Sequence, residues 1–196
     1  ENEPTAETCF ALAELKYVAA KRGELRDHNR ALALYWNSVV HSYTYLFDPK
    51  FDPVRNPYDP EFRRACDLYN TALESCLRIT RSEGRFRPGE SVTFTVDDQQ
   101  IDVTIEAKDF NWSPDEFDHF EFVSDYRVKG LKNLYRTFGL GVPLIAVRKR
   151  GVDQPEIERH YAGGLSFPVS AFLRLVPEDV GKGLRPRQLH RALPQP

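Results

Sequence analysis

Residues 91–105, SVTFTVDDQQIDVTI, mark where the period of the chain changes. Val92, Phe94 and Val96 alternate with Ser91, Thr93 and Thr95; Ile101, Val103 and Ile105 alternate with Asp102 and Thr104. Successive side chains of a strand point to opposite faces, so this two-residue period predicts two strands, each with one apolar face. Asp97-Asp98-Gln99-Gln100 supplies turn chemistry between them, and the whole reads as a β-hairpin.

Upstream of Pro88 the period is that of a helix. Thr5 or Thr8 is placed to cap a first helix whose stripe is Phe10, Leu12, Ala13, Leu15, Val18 and Ala19, with Gly23 as its stop. Asp27 or Asn29 opens a second, in which Leu32, Tyr35, Trp36, Val39, Val40, Tyr43, Leu46 and Phe47 recur at three- and four-residue spacing. These positions cover more than one stripe, so a single neighbouring helix pair would leave part of them uncovered. A loop carrying Pro49, Pro53 and Pro57 follows. Asp59-Pro60 is a cap followed by a first-turn proline, and the third helix then presents Phe62, Ala65, Cys66, Tyr69, Ala72, Leu73, Cys76 and Leu77 up to Gly84. Small residues interleaved among large ones (Ala19, Ala31, Ala65, Ala72) resemble helical-hairpin repeats of the tetratricopeptide kind. No clean repeat of about 34 residues supports that reading over a plain packed bundle.

Downstream, Ser113-Pro114-Asp115-Glu116 has the form of a capping box opening one short helix. A third strand is expected around Phe120 and Phe122, a fourth over 142–148, and a fifth within 165–176, edged or interrupted by Pro168. The expected fold class is therefore α+β, an N-terminal helical-hairpin-like bundle packed with a mainly antiparallel sheet. The expected segments are 1–84 helical, 88–180 β-rich and packed on it, and 181–196 a basic, proline-bearing linker or arm.

The composition, 41% hydrophobic and 29% charged, is that of a folded chain, and a formal charge of −2 argues against nucleic acid as the partner. No apolar run approaches the roughly 18 residues of a membrane span. Cys66 and Cys76 lie about 15 Å apart along one helix, too far for a disulfide within it. Three buried thiols are the expectation, and no Cys or His spacing suggests a metal site.

Candidate chemistry concentrates in Val123 to Arg150, VSDYRVKGLKNLYRTFGLGVPLIAVRKR. Arg127, Lys129, Lys132 and Arg136 could clamp an anion, with Tyr126 and Tyr135 for stacking. The bland alternative is a solvated basic face. His119, among Asp115, Glu116, Asp118 and Glu121, could serve as acid or base, and the same residues describe a solvated capping turn. His41 reads as a packing residue. Gly164-Leu165-Ser166-Phe167-Pro168 falls short of a nucleophile elbow, because Pro168 replaces the required last small residue. Gly139 and Gly141 match no phosphate-binding fingerprint and read as a turn ahead of the fourth strand.

Trp112 to Arg150 (WSPDEFDHFEFVSDYRVKGLKNLYRTFGLGVPLIAVRKR), with LSFPVSAFLRL at 165–175, resembles the N-terminal region of a family of large bacterial proteins. In that family the region precedes an α/β-hydrolase-type catalytic domain. The helical stretches ALALYWNSVVHSYTYLF (31–47) and ACDLYNTAL (65–73) are similar in layout. The resemblance implies that the catalytic Ser, acid and His belong to the following domain, so none is expected here. Glu1 in first place and the basic tail fit a chain cut from a longer one, and a removed signal peptide would allow an exported location. The expectation is a non-catalytic accessory domain that positions or regulates a downstream catalytic domain of the same chain, without a cofactor. The alternatives are a self-standing enzyme or binder for an anionic small molecule, and a helical-repeat interaction module anchored by Tyr35, Tyr43 and Tyr69.

Overall fold

Three helices come first, each started by the residue its local chemistry requires. The structure, a computed structural model, describes residues 4–84, 91–96, 99–104, 116–126, 139–149 and 165–173, with the backbone alone for 91–96 and 99–104. Thr5 caps α1 (Ala6–Gly23) by accepting from the Thr8 N–H. Asp27, rather than Asn29, caps α2 (His28–Phe47), its Oδ1 accepting from Arg30 N at 2.9 Å. Asp59 caps α3 (Pro60–Ser82), whose first-turn Pro60 lacks an N–H that would have gone unsatisfied anyway. Gly84 follows α3 at φ +70°, a left-handed conformation that glycine adopts without Cβ strain.

α2 is the middle helix, packed against α1 on one side and α3 on the other, while α1 and α3 touch little. Its buried set, Ala31, Leu32, Tyr35, Trp36, Asn37, Ser38, Val39, Ser42, Tyr45 and Leu46, spans much of its circumference, as the breadth of its apolar pattern predicts. The expected stripe of α1 is partly wrong. Cys9, Phe10, Ala13 and Ala20 are the buried positions, and Leu15 and Val18 are exposed. Small Ala13 and Ala20 let α1 approach α2 closely, and Ser38 Oγ donates to the Ala13 carbonyl at 2.8 Å across that contact. The larger Leu15 and Val18 lie on the turn of the helix that faces outward. Burial of the thiols holds for Cys9 and Cys76, whereas Cys66 is only half-buried; all three are free.

The loop after α2 is a structured cap. Pro49–Phe51 forms a 3-10 turn, Phe51 is buried, and Arg55 Nη1 donates to the carbonyl of Tyr45 at 2.8 Å. A cation therefore sits on the unpaired carbonyls at the negative end of the α2 dipole.

The hairpin forms from β1 (Ser91–Val96) and β2 (Gln99–Thr104) and places Val92 opposite Val103 and Phe94 opposite Ile101. Its loop is shorter than the four-residue turn expected: Val96 pairs with Gln99, so Gln99 and Gln100 belong to the strand. The described strands make two sheets instead of one, the hairpin and an antiparallel sheet of order β3-β4-β5. These strands are β3 (Phe117–Phe122), β4 (Val142–Arg148) and β5 (Ser166–Ala171). The short helix expected from Ser113 lies outside the described residues, as does Ile105.

β3 starts three residues earlier than the alternation of Phe120 and Phe122 suggested, because a register irregularity separates Phe117 from His119. An extra residue in one strand breaks the period, so Phe117 returns to the face shared by Phe120 and Phe122. The rings of Phe117 and Phe120 lie 6.2 Å apart on that face. Pro168 sits inside β5, opposite Ile145. Arg148 N donates to Leu165 O, which fixes the phase of the ladder. Two-residue alternation then puts Pro168 at a pair without hydrogen bonds, with its missing donor directed to the sheet edge, where proline is tolerated.

Helices and sheet share a core. Phe122, Val142 and Leu144 belong to one buried cluster with Trp36, Val39, Tyr69, Leu73 and Cys76, so the chain is an α+β fold with its helical layer first.

Candidate functional site

α3 carries side chains that hold the sheet, at residues 69, 70 and 78. The Tyr69 hydroxyl donates to Leu173 O and accepts from Leu173 N, both at 2.8 Å. Asn70 donates from Nδ2 to Gly139 O at 2.9 Å and accepts from Gly141 N at 2.6 Å. Gly141 has φ +115°, and a Cβ there would stand 3.1 Å from the Ala171 carbonyl oxygen. The turn ahead of β4 thus requires glycine at 141 on both counts. Arg78 Nη2 donates to Ser124 Oγ at 2.8 Å and to Asp125 Oδ1 at 2.6 Å, and its guanidinium lies 4.1 Å from the Phe122 ring centroid. Glu74 completes the group by accepting from Ser124 Oγ at 2.6 Å.

These contacts bear on the basic segment. Of its six candidate binders only Tyr126 is described; Arg127, Lys129, Lys132, Tyr135 and Arg136 lie outside the described residues. The two stretches that flank it are held to one helix, Val123–Asp125 by Arg78 and Gly139–Gly141 by Asn70. Those two side chains are eight residues apart, about 12 Å along the axis.

Tyr126 is exposed, and its hydroxyl donates to Glu121 Oε2. Glu121 Oε1 lies 3.2 Å from His119 Nε2, and Asp118 Oδ2 lies 2.8 Å from His119 Nδ1. His119 therefore stands on the outer side of a strand and not in a capping turn, and the irregularity at its start turns Asp118 outward beside it. The hydrogen bond to Asp118 and that to Glu121 hold the imidazole above its ordinary value despite some desolvation. The bonds from Tyr126 and His119 hold Glu121 below the usual carboxylate range. A ring with a carboxylate at each nitrogen is stabilised as imidazolium and has no lone pair free for a substrate proton. This makes it an ion-paired tie within β3 and a poor general base.

Tyr35 and Tyr69 are fully buried, so two of the three tyrosines expected as groove anchors are core residues. The Tyr35 hydroxyl donates to Glu24 Oε2 at 2.9 Å. Burial raises the Tyr69 phenol far above its ordinary value, consistent with a neutral donor and acceptor. Tyr43 is half-buried in an aromatic group with Phe47, Tyr69 and Phe172, ring centroids 4.7 to 6.5 Å apart. The third tyrosine is thus also engaged.

A different concavity appears where α1 and α3 diverge. Ala11, Glu14, Leu15, Tyr17, Val18 and Arg22 of α1, with Leu68 of α3, line an open groove of about 650 Å³. The described residues contain no cluster of three or more His, Cys, Asp or Glu that could hold a metal, and no helix among them is long and apolar enough to cross a membrane.

Sequence reasoning missed Asn70, Glu74 and Arg78. Glu74 and Arg78 have the spacing of a routine i,i+4 helix pair. Nothing local marks them as partners of a turn 46 or more residues away. No protein-family model, curated protein or solved structure matches the chain.

Proposed function

We propose that this chain is a non-catalytic accessory module that positions or regulates a hydrolase-type catalytic domain following it in the same polypeptide. The observation that carries the reading is the grip of Tyr69 on Leu173 just beyond β5. One buried hydroxyl engages both backbone polar groups of that residue. The neighbouring Phe172 ring, itself 45% exposed, packs against Tyr43, Phe47 and Tyr69. Backbone held at both its donor and its acceptor has a fixed place and direction, so the chain that leads on toward a following domain departs from a point set by the helical layer. The ion-paired state of the His119 group supports the same reading, since both ring nitrogens are taken up by carboxylates.

The reading frame beyond Pro196 gives the first test: a hydrolase-type domain is expected, and a stop codon directly after Pro196 contradicts the proposal. In the full polypeptide, Tyr69→Phe removes both bonds to Leu173 and leaves the ring in place. The expected result is a broadened distance between module and catalytic domain, read by fluorescence energy transfer, with an altered kcat/KM. An unchanged distance together with unchanged turnover would refute the positioning role.

A further inference from the structure

The groove on α1 has a symmetry that names its occupant. Three of its positions are spaced about Val18, Glu14 four residues before it, Arg22 four after and Ala11 seven before, and Leu25, outside the groove, stands seven after. Four and seven residues are about one and two turns, so Ala11, Glu14, Val18 and Arg22 follow one face of α1, and Leu25 continues it just past the helix end. The apolar members are uncovered, with Leu15 67%, Val18 43% and Leu25 96% exposed.

We infer that this face pairs with the same face of a second copy of the chain, with the two α1 helices antiparallel about a two-fold axis at Val18. A two-fold contact brings residue i against j and j against i. Placing Val18 on the axis sets Glu14 of each copy against Arg22 of the other, and sets Leu25 over the small Ala11. The Leu15 side chains flank the central valines. Opposite charges meet at both ends. A uniformly acidic or uniformly basic partner would meet one like charge, which is why the arrangement favours a second copy over a charged peptide. Glu14 already accepts from Arg64 through Oε1 at 2.5 Å, and this pair is exposed, leaving Oε2 for the guanidinium across the axis. Leu68 of α3 extends the apolar floor. The seam is short, so the dimer is weak, with dissociation constants expected in the range of roughly 10–500 μM, where small interfaces lie. This pairing is independent of the positioning role proposed above, because the Tyr69 hydroxyl engages Leu173 and none of the groove-lining residues.

Sedimentation velocity of the 196-residue chain over a concentration series tests it. The wild type is expected to shift from monomer toward dimer as concentration rises, and to shift back with added salt. Val18→Glu is expected to weaken association at least about tenfold by placing two like charges on the axis. Glu14→Lys and Arg22→Glu each weaken it by roughly threefold to tenfold, since each change appears twice in the dimer, and the double reversal recovers part of the loss, the pair with Arg64 staying broken. The three substituted positions are exposed or half-exposed, and circular dichroism of each variant checks the fold. A chain that stays monomeric to about 1 mM overturns the inference, a limit well above the expected constants. So does a dimer indifferent to Val18→Glu, or a double reversal that associates no more tightly than either single change.

Discussion

The contact between α1 and α2 and the contact between α3 and the sheet are built differently. The first is packing: Ala13 and Ala20 are fully buried, aromatic rings from both helices meet at Phe10–Tyr45 and Tyr17–Tyr35, and Ser38 to Ala13 is its buried cross-helix hydrogen bond. The second adds to a shared apolar core a row of polar bonds from Tyr69, Asn70 and Arg78, each reaching a turn or strand end distant in sequence. A packed contact tolerates small rearrangement and is written in a repeating pattern. A bonded one depends on single atoms, because a buried donor or acceptor that loses its partner costs more than the bond is worth in net terms. The helical layer should therefore respond to changes of volume, and the sheet junction to the loss of one hydroxyl or amide.

The largest expected effect tests whether the two contacts are energetically separate at all. Trp36→Ala removes a buried ring from the cluster common to helices and sheet and is expected to cost about 3–5 kcal/mol. Helix and strand signals should shift to the same new midpoint in denaturant. A shift confined to the helical signal would split the molecule along the comparison drawn above. Gly141→Ala comes next, at about 1–3 kcal/mol from the forced backbone and the close Ala171 carbonyl. Equilibrium unfolding measures it, and a neutral result would mean that the turn ahead of β4 is not held as described.

Tyr69→Phe keeps the volume and deletes one oxygen. It leaves Leu173 N–H and C=O without their partner and should cost about 1–3 kcal/mol, mostly seen as faster amide exchange at the end of β5. Loss of stability spread evenly over α1 and α2 would show that the bond is not local to the junction.

The smallest effect is electrostatic. Because His119 is raised in the folded state, its stabilising contribution is fully present below the unfolded value of about 6.5 and is lost as pH rises through the raised folded value. The ring is 40% exposed, so solvent screens most of this, and the slope is slight. Titration of His119 by NMR is expected to give a value above the ordinary one that falls in Asp118→Asn. An unshifted histidine would remove the ion-paired tie from β3.

The difference between the two contacts also explains what could be read in the residues. Helix starts at Thr5, Asp27 and Asp59, the hairpin at 91–104, and β4 over Val142–Arg148 follow from caps and periods that lie within a few residues of one another. The outward turn of Leu15 and Val18 was not legible, since α1 has two weak apolar stripes and only its neighbours decide which is covered. The early start of β3 was hidden by an irregularity that interrupts the very alternation used to find strands. Asn70 and Arg78 were hidden for a related reason: their partners are 46 to 71 residues away, beyond the reach of any local pattern. The tyrosines at 35 and 69 belong to the helical stripes and also served the helical-repeat alternative as groove anchors; in the fold they are core residues whose hydroxyls have found Glu24 and Leu173.

Native-state hydrogen exchange puts the shared core to the most direct test. Amides of Leu144 and Ala146 in β4 and of Val39 in α2 are all buried in the described structure, although they belong to layers more than 100 residues apart in sequence. If helices and sheet form one cooperative body, these amides open with the same free energy and the same dependence on denaturant, equal to those of global unfolding. Exchange of Leu144 and Ala146 through an opening several kcal/mol lower in cost, while Val39 stays protected, would contradict it.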